Sequence, residues 1–191
     1  MRNLLFILLI TLFVQSCAPL VGTLGMVSLG AASKEKGLGT SINDSLIKTK
    51  ISNLIYKYNK DLIADTKVFV NNGSVLYTGK LNNPNDKIEF TKLAWNIRGV
   101  KEVNNEIQVT DTSSLKNIAR DIASVGEIRA RIMADKSINS INFSIDVVND
   151  TAYISGVATS KLEMNLVKSH ASSARFIKQV YNYIILNKDT R

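Results

Sequence analysis

This chain contains few of the residues from which small enzymes and disulfide-linked proteins are built. Its 191 residues include one cysteine and one histidine, so no disulfide can form within the chain. None of the motifs Gly-x-Gly-x-x-Gly, Walker loop or His-Glu-x-x-His occurs, and the acidic residues lack the paired spacing that acid–base catalysis needs. We interpret His170 as a partly buried helix residue. The sequence therefore predicts no catalytic site, no metal site and no cofactor.

A long apolar run is missing as well. The uncharged run Leu4–Val14 has eleven residues, whereas a helix needs about 20 apolar residues to cross a bilayer. It follows Arg2 and precedes two polar residues, which is the order of parts in a secretory signal peptide. The segment Val14-Gln-Ser-Cys17 resembles a lipobox, whose cysteine receives a diacylglycerol before cleavage. We therefore predict a signal peptide over residues 1–16 and a lipidated Cys17 at the start of the mature protein.

The resemblance to a lipobox also bears on location. Ala18 stands where, in enteric-type sorting, an aspartate would retain a lipoprotein in the inner membrane, which implies the outer membrane. Several acyl chains hold a protein firmly on a bilayer, whereas one chain binds only marginally. Residues 17–43 are then the lipidated cysteine and a flexible tether rich in glycine and small apolar residues. The alternative is that Cys17 is a small apolar residue at the end of a membrane helix.

The rest of the chain contains an internal repeat, in which three blocks occur twice in the same order. The aligned pairs are Ile47–Ile51 with Ile128–Ile132, Asn72–Gly79 with Asn149–Gly156, and Val100–Asn105 with Ile177–Asn182. The first pair is offset by 81 residues and the other two by 77. The repeat predicts two domains, 44–110 and 111–191, and a second copy that lacks four residues between its first helix and first strand.

The sequence of each copy predicts the same five secondary-structure elements. Apolar residues at spacings of three and four indicate a first helix, and a second helix follows Pro84 in the first copy. Asn72-Gly73 and Asn149-Asp150 suit hairpin turns between two strands, and alternation over residues 103–109 predicts a last strand. The expected fold class is therefore α+β. It comprises two tandem αββαβ domains, each a small three-stranded sheet with two helices packed on one face.

At this point the residues resemble a family. Val75-Leu-Tyr-Thr-Gly79, a helix, and then Gly99-Val-x-x-Val103-x-Asn105 resemble the BON domain (bacterial OsmY and nodulation). Together with the lipobox, both copies look like the two-BON-domain outer-membrane lipoproteins of Gram-negative bacteria. Phe176 replaces the glycine at the Gly99 position, so we expect its loop to be shaped differently. The resemblance implies a lipid-anchored protein on the periplasmic face that binds phospholipid and supports envelope integrity.

One helix of the second copy, from Leu115 to Met133, carries more apolar residues than a small sheet can cover. Cations lie within and beside this apolar band, which is typical of a helix on an anionic membrane surface. The net charge of +8 also favours anionic partners. The lipid-binding candidates are Leu115, Ile118, Ile122, Arg129, Arg131 and Met133. The alternatives are that these apolar residues pack on the first copy and that Gly126 breaks the helix.

Each copy also carries an apolar patch that the other lacks, and such patches usually mark contacts. The domain-interface candidates are Ile88 and Trp95 in the first copy and Tyr181, Tyr183 and Ile185 in the second. We expect one or both patches to be buried between the domains, with Trp95 as a membrane anchor the alternative. The predicted partner is an anionic phospholipid membrane; the alternative is an envelope protein that docks on the same patches. No nucleic-acid partner is expected.

Overall fold

The computed structural model of the protein describes residues 38–110 and 115–187, which form two copies of one αββαβ unit. The first copy consists of α1 (Leu38–Tyr58), α2 (Leu62–Asp65), β1 (Thr66–Asn71), β2 (Ser74–Leu81), α3 (Pro84–Trp95), β3 (Glu102–Asn105) and β4 (Gln108–Val109). The second consists of α4 (Leu115–Ala134), a 3-10 turn (Ser140–Asn142), β5 (Phe143–Val148), β6 (Thr151–Ala158), α5 (Lys161–Ser172) and β7 (Gln179–Leu186). The predicted α+β class is confirmed. The predicted signal peptide and Cys17 lie outside the described residues, and α1 begins inside the range predicted as tether.

Both sheets have the same topology. The hairpin strands β1 and β2 are antiparallel, and β3 and β4 pair parallel to β2 one after the other along the same edge. In the second copy β7 pairs with β6 without this interruption. The turn residues have the predicted left-handed backbone, with φ of 56° at Asn72, 82° at Gly73, 48° at Asn149 and 61° at Asp150. Positive φ at both central positions matches the right-handed twist of hairpin strands.

A buried aspartate on the first helix of each copy holds the hairpin turn. Asp44 accepts hydrogen bonds from the amides of Asn72 and Gly73, at 2.8 and 2.9 Å. Asp121 accepts equivalent bonds from the two amides of the second turn, at 2.9 and 3.0 Å. Since Asp44 and Asp121 are 77 residues apart, the helices follow the same offset as the strands.

This equivalence corrects the predicted alignment of the first helices. At an offset of 77, the fully buried Ile51 matches Ile128 and the nearly buried Ile55 matches Ile132. The offset of 81 and the predicted four-residue deletion are therefore wrong. The error has a physical cause: a helix whose apolar residues recur every four positions looks much the same after a shift of about one turn. The α4 helix also continues through Gly126 without a break.

Each copy buries its own core between one face of the sheet and two helices. In the first copy Tyr77 packs edge-on to Phe90, with ring centroids 5.4 Å apart. Asn105 joins the sheet to α3, because its Nδ2 donates to the Lys87 carbonyl at 2.8 Å and to Thr91 Oγ1 at 2.9 Å. The helices thus cover one face of each sheet and leave the other face for contact between the copies.

Candidate functional site: the domain interface and the exposed face of α4

The uncovered faces of the two sheets meet, and the centre of their contact is apolar. Leu76 on β2 packs with Val148 and Tyr153 of the second copy, and all three side chains are buried. Phe69 and Tyr183 are partly buried against this cluster. The helices lie on the outer sides of both sheets, so the surfaces of α3 and α4 face away from the centre of the interface.

A buried carboxylate crosses this interface. Asp146 on β5 is 1% exposed, forms an ion pair with Lys67 and accepts a hydrogen bond from the Thr78 hydroxyl. Nearby, Asn71 donates to the hydroxyl of Ser155. A buried charge is costly unless it is paired, so these partners favour one arrangement of the two sheets over others.

Polar contacts continue along the last strands. Gln108 donates to the Val148 carbonyl at 3.2 Å and accepts from Asn149 Nδ2 at 2.6 Å. The Tyr183 hydroxyl donates to Glu106 Oε1. Burial, followed by this hydrogen bond, raises the pKa of the Tyr183 phenol. The apolar patches on which the sequence prediction of the interface rests do not indicate these polar contacts. A signal was present in Asp146, which interrupts an apolar strand.

The interface candidates fall into two groups. Tyr183 lies in the interface through its bond to Glu106. Tyr181 is 38% exposed and stacks on Tyr153 of its own copy, with ring centroids 5.5 Å apart, and Ile185 is half-buried, so the interface role of these two stays a prediction. The placement of Ile88 and Trp95 between the domains is corrected, because they are 53% and 52% exposed. The reason is that α3 covers the core face of its sheet, whereas the domains meet on the opposite face.

The α4 helix buries one side and exposes an apolar strip on the other. Ile128 and Ile132 belong to the core, whereas Ile122 is 67% and Met133 72% exposed. Ile118 is exposed as well, and so is Ile141 beyond the helix, which the sequence interpretation did not include. The Leu115 side chain lies outside the described part of the structure. The predicted surplus of apolar residues is thus solvent-facing along much of the helix.

Near its start α4 borders a cleft of about 590 Å³ between the copies. Ile118, Ile122 and Val125 line one side, and residues of α2 and β2 line the other. Lys80 Nζ lies 4.0 Å from Asp121 Oδ2 across this cleft. The first part of the strip therefore faces the first copy without being covered by it.

The two arginine candidates on α4 differ in their partners. Arg131 is held by Glu127 one turn earlier, with contacts of 3.1 and 2.8 Å to one oxygen. The hydrogen bond from Arg131, and then the one from the Arg175 amide, lower the pKa of Glu127. Arg129 is exposed and has no hydrogen-bond or ion-pair partner among the described residues. It lines a pocket of about 250 Å³ together with Met133 and Ile141.

The remaining candidates for chemistry have structural explanations. His170 is half-buried, as predicted, and its Nε2 lies 2.8 Å from Asp135 Oδ2, a contact that lowers the pKa of Asp135. Across residues 38–110 and 115–187, no cluster of three or more His, Cys, Asp or Glu residues could hold a metal. Within the same ranges no helix is long and apolar enough to span a bilayer.

Comparison with known proteins identifies the repeated unit. The model of the BON domain family matches residues 43–111 and again residues 115–188. A protein of Anaplasma centrale named "Uncharacterized protein in gshII 5'region" is 35% identical over 76% of this chain and 95% of its own length. The outer membrane lipoprotein DolP of Haemophilus influenzae is 26% identical over 94% and 93%. The osmotically-inducible protein Y of Escherichia coli is 24% identical over 76% and 73%.

Proposed function

The chain belongs to the BON domain family, and from this premise we propose that it is a lipid-anchored protein of the outer membrane that faces the periplasm. In this proposal its second domain binds anionic phospholipid, and the protein supports envelope integrity. The similarity to an outer membrane lipoprotein over nearly the full length of both chains supports the location. The predicted lipidation of Cys17 supplies the anchor.

The observation that carries the phospholipid proposal is the exposed strip of α4. Ile122, Met133 and Ile141 present apolar side chains to solvent beside Arg129, whose charge has no partner among the described residues. Fully burying one such apolar side chain contributes about 1.5–3 kcal/mol, and a basic residue near an anionic surface adds about 1 kcal/mol. Apolar side chains can enter the acyl boundary while the guanidinium contacts a phosphate.

Exposure and charge pairing also rank the candidate residues within α4. Arg129 is available for a head group, whereas Arg131 already has a carboxylate partner in Glu127. Ile118 and Ile122 both line the cleft between the copies, but Ile118 is 40% exposed, whereas Ile122 is 67% and Met133 72% exposed. We therefore assign lipid contact chiefly to Ile122, Arg129 and Met133. Because Cys17 would already hold the protein on a membrane, weak contact sets orientation and not attachment.

Vesicle flotation of the mature chain with Cys17→Ser, which cannot be acylated, tests this surface. We expect flotation with phosphatidylglycerol vesicles but not with phosphatidylcholine vesicles, and a loss of at least tenfold in Arg129→Glu with Met133→Asp. The matched control is Lys161→Glu with Leu162→Asp, which makes the same kind of change at exposed residues of α5. Equal flotation of the two double variants would refute the assignment to α4.

The anchor is tested separately by mass spectrometry of the native N-terminus. We expect the mature chain to begin at an acylated Cys17, and membrane fractionation to place it in the outer membrane. A native chain that begins at Met1, or a free thiol at Cys17, would contradict the anchor without bearing on the α4 surface.

A second candidate function is supported by the exposed apolar pair on α3. Ile88 and Trp95 lie on a different domain from the α4 strip and are not used in the interface between the copies. They suit docking of an envelope protein, with Trp95 as a membrane anchor the remaining alternative. Trp95 fluorescence separates the two, because only an anchor residue shifts its emission when phosphatidylglycerol vesicles are added.

A further inference from the structure

The first copy has an open cleft at the hairpin end of its sheet, and none of its lining residues belongs to the proposed lipid contact. The cleft has a volume of about 420 Å³ and lies between α1, the hairpin turn and the loop that follows α3. Three cations line it, Lys50, Arg98 and Lys101, and all three are exposed. One carboxylate, Asp44, also lines it.

The carboxylate of this cleft has hydrogen-bond partners within the fold, whereas its three cations do not. Asp44 accepts the two turn amides, at 2.8 and 2.9 Å, so both of its oxygens are engaged within the fold. In contrast, Lys50, Arg98 and Lys101 have no hydrogen-bond or ion-pair partner in the part of the chain that the structure describes. The cleft therefore holds an excess of positive charge that the described residues do not neutralise.

Two glycines line the cleft, and one of them, Gly99, leaves a backbone amide without a partner. Gly73 and Gly99 both have positive φ, 82° and 101°, and both line the cleft. A Cβ on Gly73 would come within 2.6 Å of the Gly99 carbonyl, and one on Gly99 within 3.2 Å of Ile47 Cδ1. The N–H of Gly99 has no hydrogen-bond partner among the described residues. Exposed backbone amides next to cations are a common way to bind an anion.

The second copy carries different residues at the equivalent place. At the common offset of 77, Gly73 is replaced by Asp150, Gly99 by Phe176 and Lys50 by Glu127. Arg120 lies over the Phe176 ring, 4.9 Å from its centroid. Here Asp150 pairs with Arg120 at 3.2 Å and with Lys178 at 2.9 Å, and Glu127 accepts the Arg175 amide at 3.1 Å. Three changes thus place an aromatic ring and two carboxylates in one copy where the other has two glycines and a lysine.

We propose that this cleft of the first copy binds a phosphate group, through Lys50, Arg98, Lys101 and the bare backbone at Gly99. Lysine and arginine side chains together with free backbone amides form strong hydrogen bonds to a dianion. The phosphate belongs either to a soluble phosphate or to a lipid head group. The site is independent of the α4 surface, since the two share no residue.

Titration of the mature Cys17→Ser chain with inorganic phosphate, followed by the amide NMR signals of Gly73 and Gly99 at constant ionic strength, tests the proposal. We expect saturable shifts at both glycines. Lys50→Glu, which introduces the charge that the second copy has at this position, should weaken phosphate affinity at least tenfold. The matched control is Lys48→Glu on the same helix, which makes the same charge change outside the cleft and should alter affinity less than twofold.

The source of the phosphate is found by repeating flotation with phosphatidylglycerol vesicles. If Lys50→Glu reduces both phosphate affinity and flotation, the site takes a lipid head group; if it reduces only phosphate affinity, the site takes a soluble phosphate. Equal phosphate affinity in Lys50→Glu and Lys48→Glu, or unshifted glycine amides, would overturn the site. The Arg129→Glu with Met133→Asp variant should keep its phosphate affinity, so failure of the α4 proposal is recognised separately.

Discussion

The two copies share one fold but differ in which surfaces are open, charged or apolar. On α4, Ile122 and Arg129 are exposed, whereas the equivalent positions on α1 hold Ser45 and Ser52. At the hairpin end the first copy has an open, cationic cleft, whereas the second has Phe176, Asp150 and Glu127 at the positions equivalent to Gly99, Gly73 and Lys50. A duplicated unit has thus kept its core and changed its outer surfaces, which points to separate tasks for the two domains.

The faces that join the copies have also become different from each other. Glu106 and Tyr183 occupy equivalent positions in the repeat, and they bond to each other across the interface. Phe69 is the equivalent of Asp146, so an apolar residue in one sheet matches the buried carboxylate of the other. Two identical copies would place Glu106 against a second glutamate. The interface therefore fits a first domain against a second domain and would not fit two identical domains.

The largest expected effect comes from the matched core residues Ile51 and Ile128. Both are fully buried, and Ile51→Ala or Ile128→Ala each removes apolar contacts and leaves a cavity, at a cost of about 2–5 kcal/mol. Since the sheets share a buried interface, we expect either variant to shift one common urea unfolding transition. Two transitions, each shifted by the variant in its own copy, would mean that the domains unfold independently.

Asp146→Ala tests whether the polar interface stabilises the pair. The change leaves the fully buried Thr78 hydroxyl without its acceptor and releases Lys67, so we expect a loss of about 2–3 kcal/mol. Urea denaturation measures it. Asp61→Ala, at an exposed residue of the first copy, is the control and should stay within about 0.5 kcal/mol of wild type. A similar small change in both variants would show that the carboxylate contributes little.

Two glycine-to-alanine variants compare a position at positive φ, Gly99, with a helical position, Gly126. Gly99→Ala places a side chain at positive φ and 3.2 Å from Ile47, so we expect a loss of about 1–2 kcal/mol. Gly126→Ala, inside α4 with open space around it, should increase stability by about 0.5–1 kcal/mol. Thermal unfolding measures both changes: the unfolding midpoint should fall in Gly99→Ala and rise in Gly126→Ala. Destabilisation by Gly126→Ala would mean that α4 needs its glycine.

The smallest effect concerns Tyr183 and its dependence on pH. Its pKa is raised in the folded protein above the unfolded value of about 10. The stability that comes from this shift is therefore present below pH 10 and is lost as the pH rises beyond it. We expect Tyr183→Phe to lose about 1 kcal/mol at neutral pH and to flatten the alkaline decline, in urea titrations at several pH values.

The exposed Tyr56→Phe on α1 is the control for Tyr183→Phe. It should leave both the neutral stability and the alkaline decline nearly unchanged. An equally steep decline in Tyr183→Phe and wild type would assign the alkaline effect to other tyrosines.

Local features of the fold were predictable because their causes are local. The turns at Asn72 and Asn149 follow from residues that tolerate positive φ, and the helix predicted after Pro84 is α3, which buries Phe90 and Ala94 four residues apart. The alignment of α1 with α4 was not predictable from apolar spacing alone. Apolar residues that recur every four positions allow the two helices to be aligned one turn apart. Asp44 and Asp121, which resolve the register, contact turns 28 residues away in sequence.

For the candidate surfaces, the sequence indicated which helix has an excess of apolar residues but not the contacts of its single residues. The apolar excess of α4 is visible in the sequence, yet only the folded chain shows that Arg131 is paired with Glu127 and that Arg129 is not. The sequence motif includes Gly99, and the replacement of this glycine by Phe176 predicts a different loop in the second copy. Only the folded chain shows that Gly99 lines an open cleft together with Lys50, Arg98 and Lys101.

The sequence by itself determined the repeated order of elements, the hairpin turns and the two cores, because these depend on residue spacing and on the backbone preferences of single residues. Tertiary structure decided which sheet faces meet, why Ile88 and Trp95 remain exposed while Tyr183 does not, and which cations keep a free charge. The physical reason is that pairing, burial and strain arise between residues that are distant along the chain. Their strength depends on distance and on exclusion of water, and both are properties of the folded molecule.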